Sequence, residues 1–373
     1  MKRIGIDARF FGTLGKGLGR YTQKLIENLE KIDNENTYYI FLCKENFEEY
    51  NPGNPNFHKV LADYRWYTFA EQLFFPFQLL RYRLDLMHFP HFNVPILYRK
   101  KIIITIHDLI LLHFPTIKST TLSPIFYWIK FLAYKLSISS AIYHSGKIMT
   151  ISEFTKRDIL DNYSVVSEKI QVSYEACDDF CYLSDKNDDA ILQKYGIIKP
   201  YLLYVGNAYP HKNLEKLVEA FSLLQKEKSS LKLVLVGKHD YFYQRIKEHV
   251  ADLAVGGVLL PGFIPDDELD VLYKHAEVYV FPSLYEGFGL PPLEAMSKGA
   301  PVVCSDHACM QEILDDSALF VDARKAEFIR EGVLEVMNNQ VVRENLIAKG
   351  YVQVRKYDWK KMAKDTLIQY QKS

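Results

Sequence analysis

Tyr201-Leu-Leu-Tyr-Val-Gly206, Asn213-Leu-Glu-Lys-Leu-Val-Glu-Ala-Phe-Ser-Leu-Leu-Gln225 and Leu231-Lys-Leu-Val-Leu-Val-Gly237 follow one another with short links between them. The outer two are apolar runs of strand length, and the middle one carries its apolar residues at helical spacing. A strand, a helix and a strand in succession point to a parallel sheet covered by helices. Downstream the alternation continues with a helix at 241–252, a strand at 277–281, a helix at 292–298 and a strand at 301–304. Upstream, strands are expected at 2–7, 38–42, 101–106 and 147–151. A helix at 20–31 aligns Tyr21, Leu25, Ile26 and Leu29 on one face, and Ser152 is a good N-cap for a helix at 153–162. Two such series in 373 residues imply an α/β protein of two Rossmann-like, doubly wound domains. The boundary is expected within 178–199, where Asp185, Lys186, Asn187, Asp188 and Asp189 form a polar, turn-prone run. The domains are then 1–180 and 181–355, with a C-terminal helix at about 356–373 packing back on the first.

Composition narrows the function classes. Lys+Arg and Asp+Glu both total 46, and this balance argues against a nucleic-acid partner held by bulk positive charge. Cys43, Cys177, Cys181, Cys304 and Cys309 are odd in number and scattered, unlike a disulfide framework. Cys177 and Cys181 lack a second Cys or His pair at zinc spacing, so no metal site is expected. The opening Met1-Lys-Arg-Ile-Gly-Ile-Asp-Ala-Arg-Phe10 enters a strand pattern at once, without a signal-peptide core, and a cytoplasmic protein is expected. No stretch offers the roughly 18 uninterrupted apolar residues of a membrane span. Residues 122–143 are interrupted by Lys130 and Lys135; residues 64–83 are rich in aromatics, with Arg65, Arg81 and Arg83 near the ends. Both segments read either as helices packed on a sheet or as helices held at a membrane interface.

Ligands of doubly wound sheets sit beyond the carboxyl ends of the strands. One such end is Phe281-Pro-Ser-Leu-Tyr-Glu-Gly-Phe-Gly-Leu-Pro-Pro-Leu-Glu294. Gly287 and Gly289 allow close approach to the backbone, and Pro291 and Pro292 suit a first helical turn. The helix start favours an anion such as a diphosphate. Glu286 is a candidate acceptor for sugar hydroxyls and Glu294, in the first turn, for a ribose diol. Read alone, the stretch is equally a solvated loop whose glutamate complements the helix dipole.

The two glutamates eight apart resemble the signature of glycosyltransferase family 4, whose fold is GT-B. Pro261-Gly-Phe-Ile264, Leu272-Tyr-Lys-His-Ala276, Gly299-Ala-Pro-Val-Val-Cys-Ser-Asp306 and Ala318-Leu-Phe-Val-Asp322 continue the family's pattern. The resemblance implies two domains facing each other across a cleft, with Ile264, Glu286, Phe288, Gly289, Leu290 and Glu294 at the donor. Tyr204-Val-Gly-Asn-Ala-Tyr-Pro-His-Lys-Asn213 resembles the loop that faces the donor diphosphate, which makes Lys212 the phosphate-binding lysine. Asn207 stands where many relatives carry Arg, and His211 is expected to replace part of that lost charge. Gly12-Thr-Leu-Gly-Lys-Gly-Leu-Gly-Arg-Tyr21 resembles the N-terminal glycine loop, with Gly15 and Gly17 at the donor phosphates. Its spacing misses the dinucleotide fingerprint G-x-G-x-x-G. Ile104-Thr-Ile-His-Asp-Leu109 sets His107 at a strand end, where the family's histidine bonds the 6-hydroxyl of the donor sugar. Tyr174-Glu175-Ala-Cys-Asp178 falls near the inter-domain crossover and receives no role.

His107, Glu286 and Lys212 are thus the expected catalytic set. The family retains anomeric configuration, and no carboxylate is evidently placed as a nucleophile. Front-face displacement is expected, the departing phosphate oxygen taking the acceptor proton. Lys212, the helix start at 290–293 and glycine-loop N–H groups would meet the leaving charge without a metal or other cofactor. The pattern looks most like bacterial surface-polysaccharide mannosyltransferases. GDP-mannose is therefore the expected nucleotide-sugar donor, with a UDP-hexose as the alternative. The acceptor is expected to be a glycan or lipid-linked glycan, which would suit a peripheral position on the inner membrane face. A nucleotide-sugar epimerase and a non-catalytic glycan- or nucleotide-binding homologue are the rival readings.

Overall fold

The computed structural model describes residues 1–12, 16–115, 124–177 and 187–373, with side chains except at 16 and 124–127. It divides into two units, Met1–Glu175 with Asp358–Ser373, and Ala176–Tyr357. The division falls just after Glu175 rather than after residue 180.

The first unit opens with β1 (Arg3–Asp7), α1 (Lys16–Ile32), β2 (Thr37–Leu42), β3 (Phe57–Leu61) and α2 (Phe69–Arg81). There follow β4 (Leu86–Phe89), β5 (Ile102–Ile106), α3 (Ile110–His113), α4 (Pro124–His144), β6 (Lys147–Thr150), α5 (Glu153–Asn162) and β7 (Ile170–Val172). The strands pair in the order β3-β2-β1-β4-β5-β6-β7, all parallel. Every residue of β4 and β5 is buried, as expected of parallel strands covered on both faces. On one face, Phe75 and Leu79 of α2 and Ile138, Ala141 and Ile142 of α4 enter a single core with Phe41, Met87 and Ile104. The Ser152 hydroxyl caps α5 by accepting from Thr155 N at 3.0 Å.

The second unit runs α6 (Asp188–Lys194), β8 (Tyr201–Val205), α7 (Leu214–Gln225), β9 (Lys232–Val236), α8 (Tyr241–Asp252) and β10 (Val258–Gly262). It continues with α9 (Asp266–His275), β11 (Val278–Phe281), α10 (Leu290–Ser297), β12 (Val302–Ser305), α11 (Ala308–Leu314), β13 (Leu319–Val321), α12 (Ala326–Asn338) and α13 (Gln340–Val354). Its strands are also all parallel, in the order β10-β9-β8-β11-β12-β13. Acidic residues open α9 and Lys274 and His275 close it, matching the helix dipole. Helix α10 begins at Leu290, two residues ahead of the expected start, so Glu294 is its fifth residue and stands beyond the first turn.

In both sheets the strand order reverses beside the first strand of the series, between β1 and β4 and between β8 and β11. Loops leaving neighbouring strands in opposite directions open a crevice there, the preferred ligand position of such sheets.

A last helix, α14 (Trp359–Lys372), belongs to the first unit and packs on α1. Asp358 caps it, accepting from Lys360 N at 2.8 Å. Its Tyr370 hydroxyl lies 2.6 Å from His88 Nδ1, and His88 Nε2 lies 2.9 Å from Thr105 Oγ1. Burial, with some repulsion from His107, pushes His88 down to about 3, so this buried link is neutral.

Candidate active site

In the second unit the crevice is built by the loops after β8 and β11, which are neighbours in the sheet. Asn207 Oδ1 accepts from Tyr209 N at 3.3 Å and its carbonyl accepts from the Tyr204 hydroxyl at 2.8 Å, which fixes a tight turn. One 3-10 turn, Pro210–Lys212, leads to Asn213, whose left-handed backbone (φ 61°) starts α7. The Asn213 amide donates to the carbonyls of Pro282 (3.2 Å) and Ala323 (2.7 Å). Leu284 N donates to the His211 carbonyl at 2.7 Å. These bonds fasten the two loops together.

The result is an ion pair from residues 74 apart in sequence: Lys212 Nζ lies 2.5 Å from Glu286 Oε1. Glu286 is only 7% exposed, and the ammonium also stands 5.5 Å from the centre of the Phe281 ring. A charge-assisted bond in so dry a setting is strong, and it delivers one cation and one carboxylate to the crevice at fixed separation. Glu294, 8% exposed, accepts from the Tyr273 hydroxyl at 3.0 Å. Beneath the loop, the rings of Tyr204, Phe281, Tyr279 and Tyr273 form a continuous line ending at that hydroxyl. The glutamates therefore rest on a rigid aromatic floor rather than on a mobile surface loop.

The other expected donor residues of this unit fare differently. Gly289 has φ 90°, and a Cβ there would meet Met310 at 2.6 Å, so the loop requires glycine. Phe288 and Ile264 are buried, with Phe288 edge-on to Tyr357 at 5.3 Å; their side chains are spent inside the unit. Leu290 is half-buried as the first residue of α10. His211 does not supply replacement charge. Burial and then the neighbouring Lys212 push it down to about 4, which leaves a neutral ring at pH 7.

In the first unit, Gly15 lies outside the described residues. Gly17 is exposed in the first turn of α1, with open space where a Cβ would stand. The glycine that the packing demands is Gly19: a Cβ there would fall 2.1 Å from the Gly12 carbonyl and 2.5 Å from that of Phe10. The approach to this loop is held by a buried cluster. Arg9 Nε and Nη2 donate to Asp7 at 2.8 and 2.7 Å, Nη2 also to Glu71 at 2.7 Å, and Nη1 to the Tyr64 carbonyl at 3.0 Å. Asn46 adds three bonds from its amide, to the carbonyls of Ala8, Arg9 and Phe11.

His107, just past β5, has both ring nitrogens engaged: Nδ1 lies 3.1 Å from Glu175 Oε1 and Nε2 3.0 Å from the Pro90 carbonyl. Tyr21 meets the ring edge-on at 4.7 Å. Burial opposes charge on this histidine, but the Glu175 bond and charge, the Pro90 carbonyl and Asp108 outweigh it and raise its pKa. Sequence reading found His107 but not its partner, because 68 residues separate the two.

With this geometry in view, the comparisons are specific. Residues 15–179 match the family profile described as Glycosyltransferase Family 4, and residues 187–353 match that of Glycosyl transferases group 1. The chain belongs to glycosyltransferase family 4. Among its relatives is O-antigen chain mannosyltransferase B of Escherichia coli, 31% identical over 63% of this chain and 62% of that protein. O-antigen chain mannosyltransferase RfbU of Salmonella typhimurium is 30% identical over 60% of this chain and 61% of the relative. These matches thus span about three-fifths of the curated relatives' length. In fold, this family 4 chain is similar to sucrose-phosphate synthase from Thermosynechococcus elongatus, with TM-score 0.78 and 18% identity over 100% of this chain and 99% of the other. The two parallel-sheet units are those of the GT-B glycosyltransferases.

Proposed function

We propose that the chain is a retaining hexosyltransferase that moves mannose from GDP-mannose to a glycan or lipid-linked glycan in surface-polysaccharide synthesis. The Lys212–Glu286 pair at the reversal between β8 and β11 carries this reading. An ammonium there meets the charge growing on the departing diphosphate, and Glu286 grips the transferred sugar. Glu294 takes the ribose. The start of α10 adds its dipole to the leaving-group side, as Gly289 brings the backbone close. The bond from the anomeric carbon to phosphate breaks while the acceptor oxygen bonds on the same face, and its proton passes to the departing phosphate oxygen. No metal is needed in this scheme. The choice of mannose rests on the two bacterial relatives.

A thermal-shift screen of GDP- and UDP-sugars tests the donor. A ligand at 100 times its dissociation constant adds about 2.7 kcal/mol to the unit that binds it. GDP-mannose should give the largest shift; a larger one from a UDP-hexose would replace this donor by that sugar.

The acceptor reading includes an anionic bilayer surface at which a lipid-linked glycan is met. Among the described residues no helix is long and apolar enough to cross a membrane. Helices α2 and α4 instead bury one face in the shared core and expose Phe69 (95%), Phe74 and Phe77 of the first, and Trp128, Ile129, Leu132 and Leu136 of the second. Exposed Arg81, Arg83, Lys130 and Lys135 flank them. Aromatic and basic residues together suit an interface helix over acidic headgroups. Vesicles containing phosphatidylglycerol should therefore pull the protein down. Phe69→Ser with Phe77→Ser should weaken this tenfold or more, since each buried phenylalanine is worth about 1.5–3 kcal/mol. Undiminished binding by the double variant would rule this face out.

A further inference from the structure

The hydrogen-bond partners of His107 are of one kind. The Pro90 carbonyl can only accept, and so can an ionised Glu175. A neutral imidazole carries one N–H and one lone pair, so it would turn that lone pair against one of the two acceptors. Both contacts, at 3.1 and 3.0 Å, are satisfied together only when both ring nitrogens carry protons. The surroundings fit a single cation. Glu175 and Asp108 are the acidic neighbours; His88 and His91 lie close enough to feel the ring's charge, and both are held neutral. Tyr21, edge-on to the ring, keeps its proton. Thr155 Oγ1 donates to the His107 carbonyl at 3.2 Å, so the backbone is fixed as well. Glu175 is 5% exposed and is the last residue of its unit before the chain passes to the other.

We propose that Glu175 is a positioning residue that holds His107 as an imidazolium, locked between Nδ1–H···Glu175 and Nε2–H···Pro90. This rests on the transferase reading above. The consequence is chemical: a ring that keeps both protons is not the base for the acceptor hydroxyl, so that proton must leave by another route, such as the departing phosphate. The sign with pH follows. The folded state favours the protonated ring, so the pair's stabilisation is full below the ordinary histidine value of about 6.5 and is lost as pH rises through the raised one.

The test is Glu175→Gln in the full chain, labelled with nitrogen-15 histidine, the His107 signals being assigned by their absence in His107→Gln. In the unchanged protein both ring nitrogens should read as protonated at pH 7.5; in Glu175→Gln one should lose its proton. At pH 8, kcat in that variant should fall about tenfold, the change in charged fraction that one pKa unit produces, with KM for the donor little moved and kcat recovering at pH 6. A neutral ring at pH 7.5 in the unchanged protein, or an unaltered ring in the variant, overturns the proposal. Loss of the proton with no change in kcat overturns the positioning role. Should no sugar nucleotide be turned over at all, the transferase reading fails by itself, and the ring measurement still judges the pair.

Discussion

Replacing Glu286 by alanine should lower transfer by about 10²–10³-fold or more, the loss seen when one preorganised electrostatic group is removed from a reacting centre. The second unit should stay folded. Lys212, 13% exposed, can turn its ammonium to water once its partner is gone, and the lost bond to a charged group costs about 1.5–3 kcal/mol. Because the two side chains act as one device, Lys212→Ala should be similarly damaging. The double variant should then be far less impaired than the product of the two single losses. Product formation from labelled donor and a far-ultraviolet melting curve are the readouts. Full activity in Glu286→Ala would remove this residue from the reaction.

The second large effect concerns stability. Arg9→Met should destabilise the first unit by about 3–5 kcal/mol, because it strands two buried carboxylates without their cation. Arg9 is fully buried, bonded to Asp7, Glu71 and Tyr64, and its guanidinium lies 4.3 Å from the centre of the Phe75 ring. Even with Arg9 present, burial holds Glu71 above the ordinary carboxylate range, Arg9 and Asn93 only partly countering it. A raised carboxylate means the folded state binds its proton more tightly, so this group's contribution to stability falls as pH rises through its pKa. In Arg9→Met that dependence should steepen, and the damage should shrink as pH is lowered from 7 towards 5. Urea unfolding at both pH values measures it. An equal loss at both would mean the two carboxylates do not carry the penalty.

What could be read in the sequence and what could not divide along physical lines. The alternation of strands and helices was legible because each element's period is local. Strands β3, β4, β7, β10 and β13 were not expected, being three to five residues long and carrying little periodic signal. β10 even contains Pro261, which it tolerates at the edge of its sheet, where the register shifts between Leu259 and Gly262. Lys212, Glu286 and Glu294 were visible through the family's motifs, yet the contact between Lys212 and Glu286 was not, since Asn213 and Leu284 create it by tying two loops. The same holds for Arg9 with Glu71 and His107 with Glu175. Pairs made by folding leave no mark in spacing. His211 was misjudged for a related reason: its neutrality comes from burial, which no motif displays.

Helix α14 has a bearing on how the protein comes into being. Its Tyr370 closes on His88 and its body lies along α1, so the first unit is assembled from the two extremes of the chain. The second unit, Ala176–Tyr357, is contiguous. During synthesis, which runs at about 5–20 residues per second, the second unit is therefore whole while the first still waits for its closing helix. Until residues 358–373 have emerged, Trp359, Met362 and Tyr370 are missing from a surface that the finished protein buries. The unit begun first is the one finished last, and a nascent chain halted near residue 357 would carry a completed second unit beside an unsealed first one.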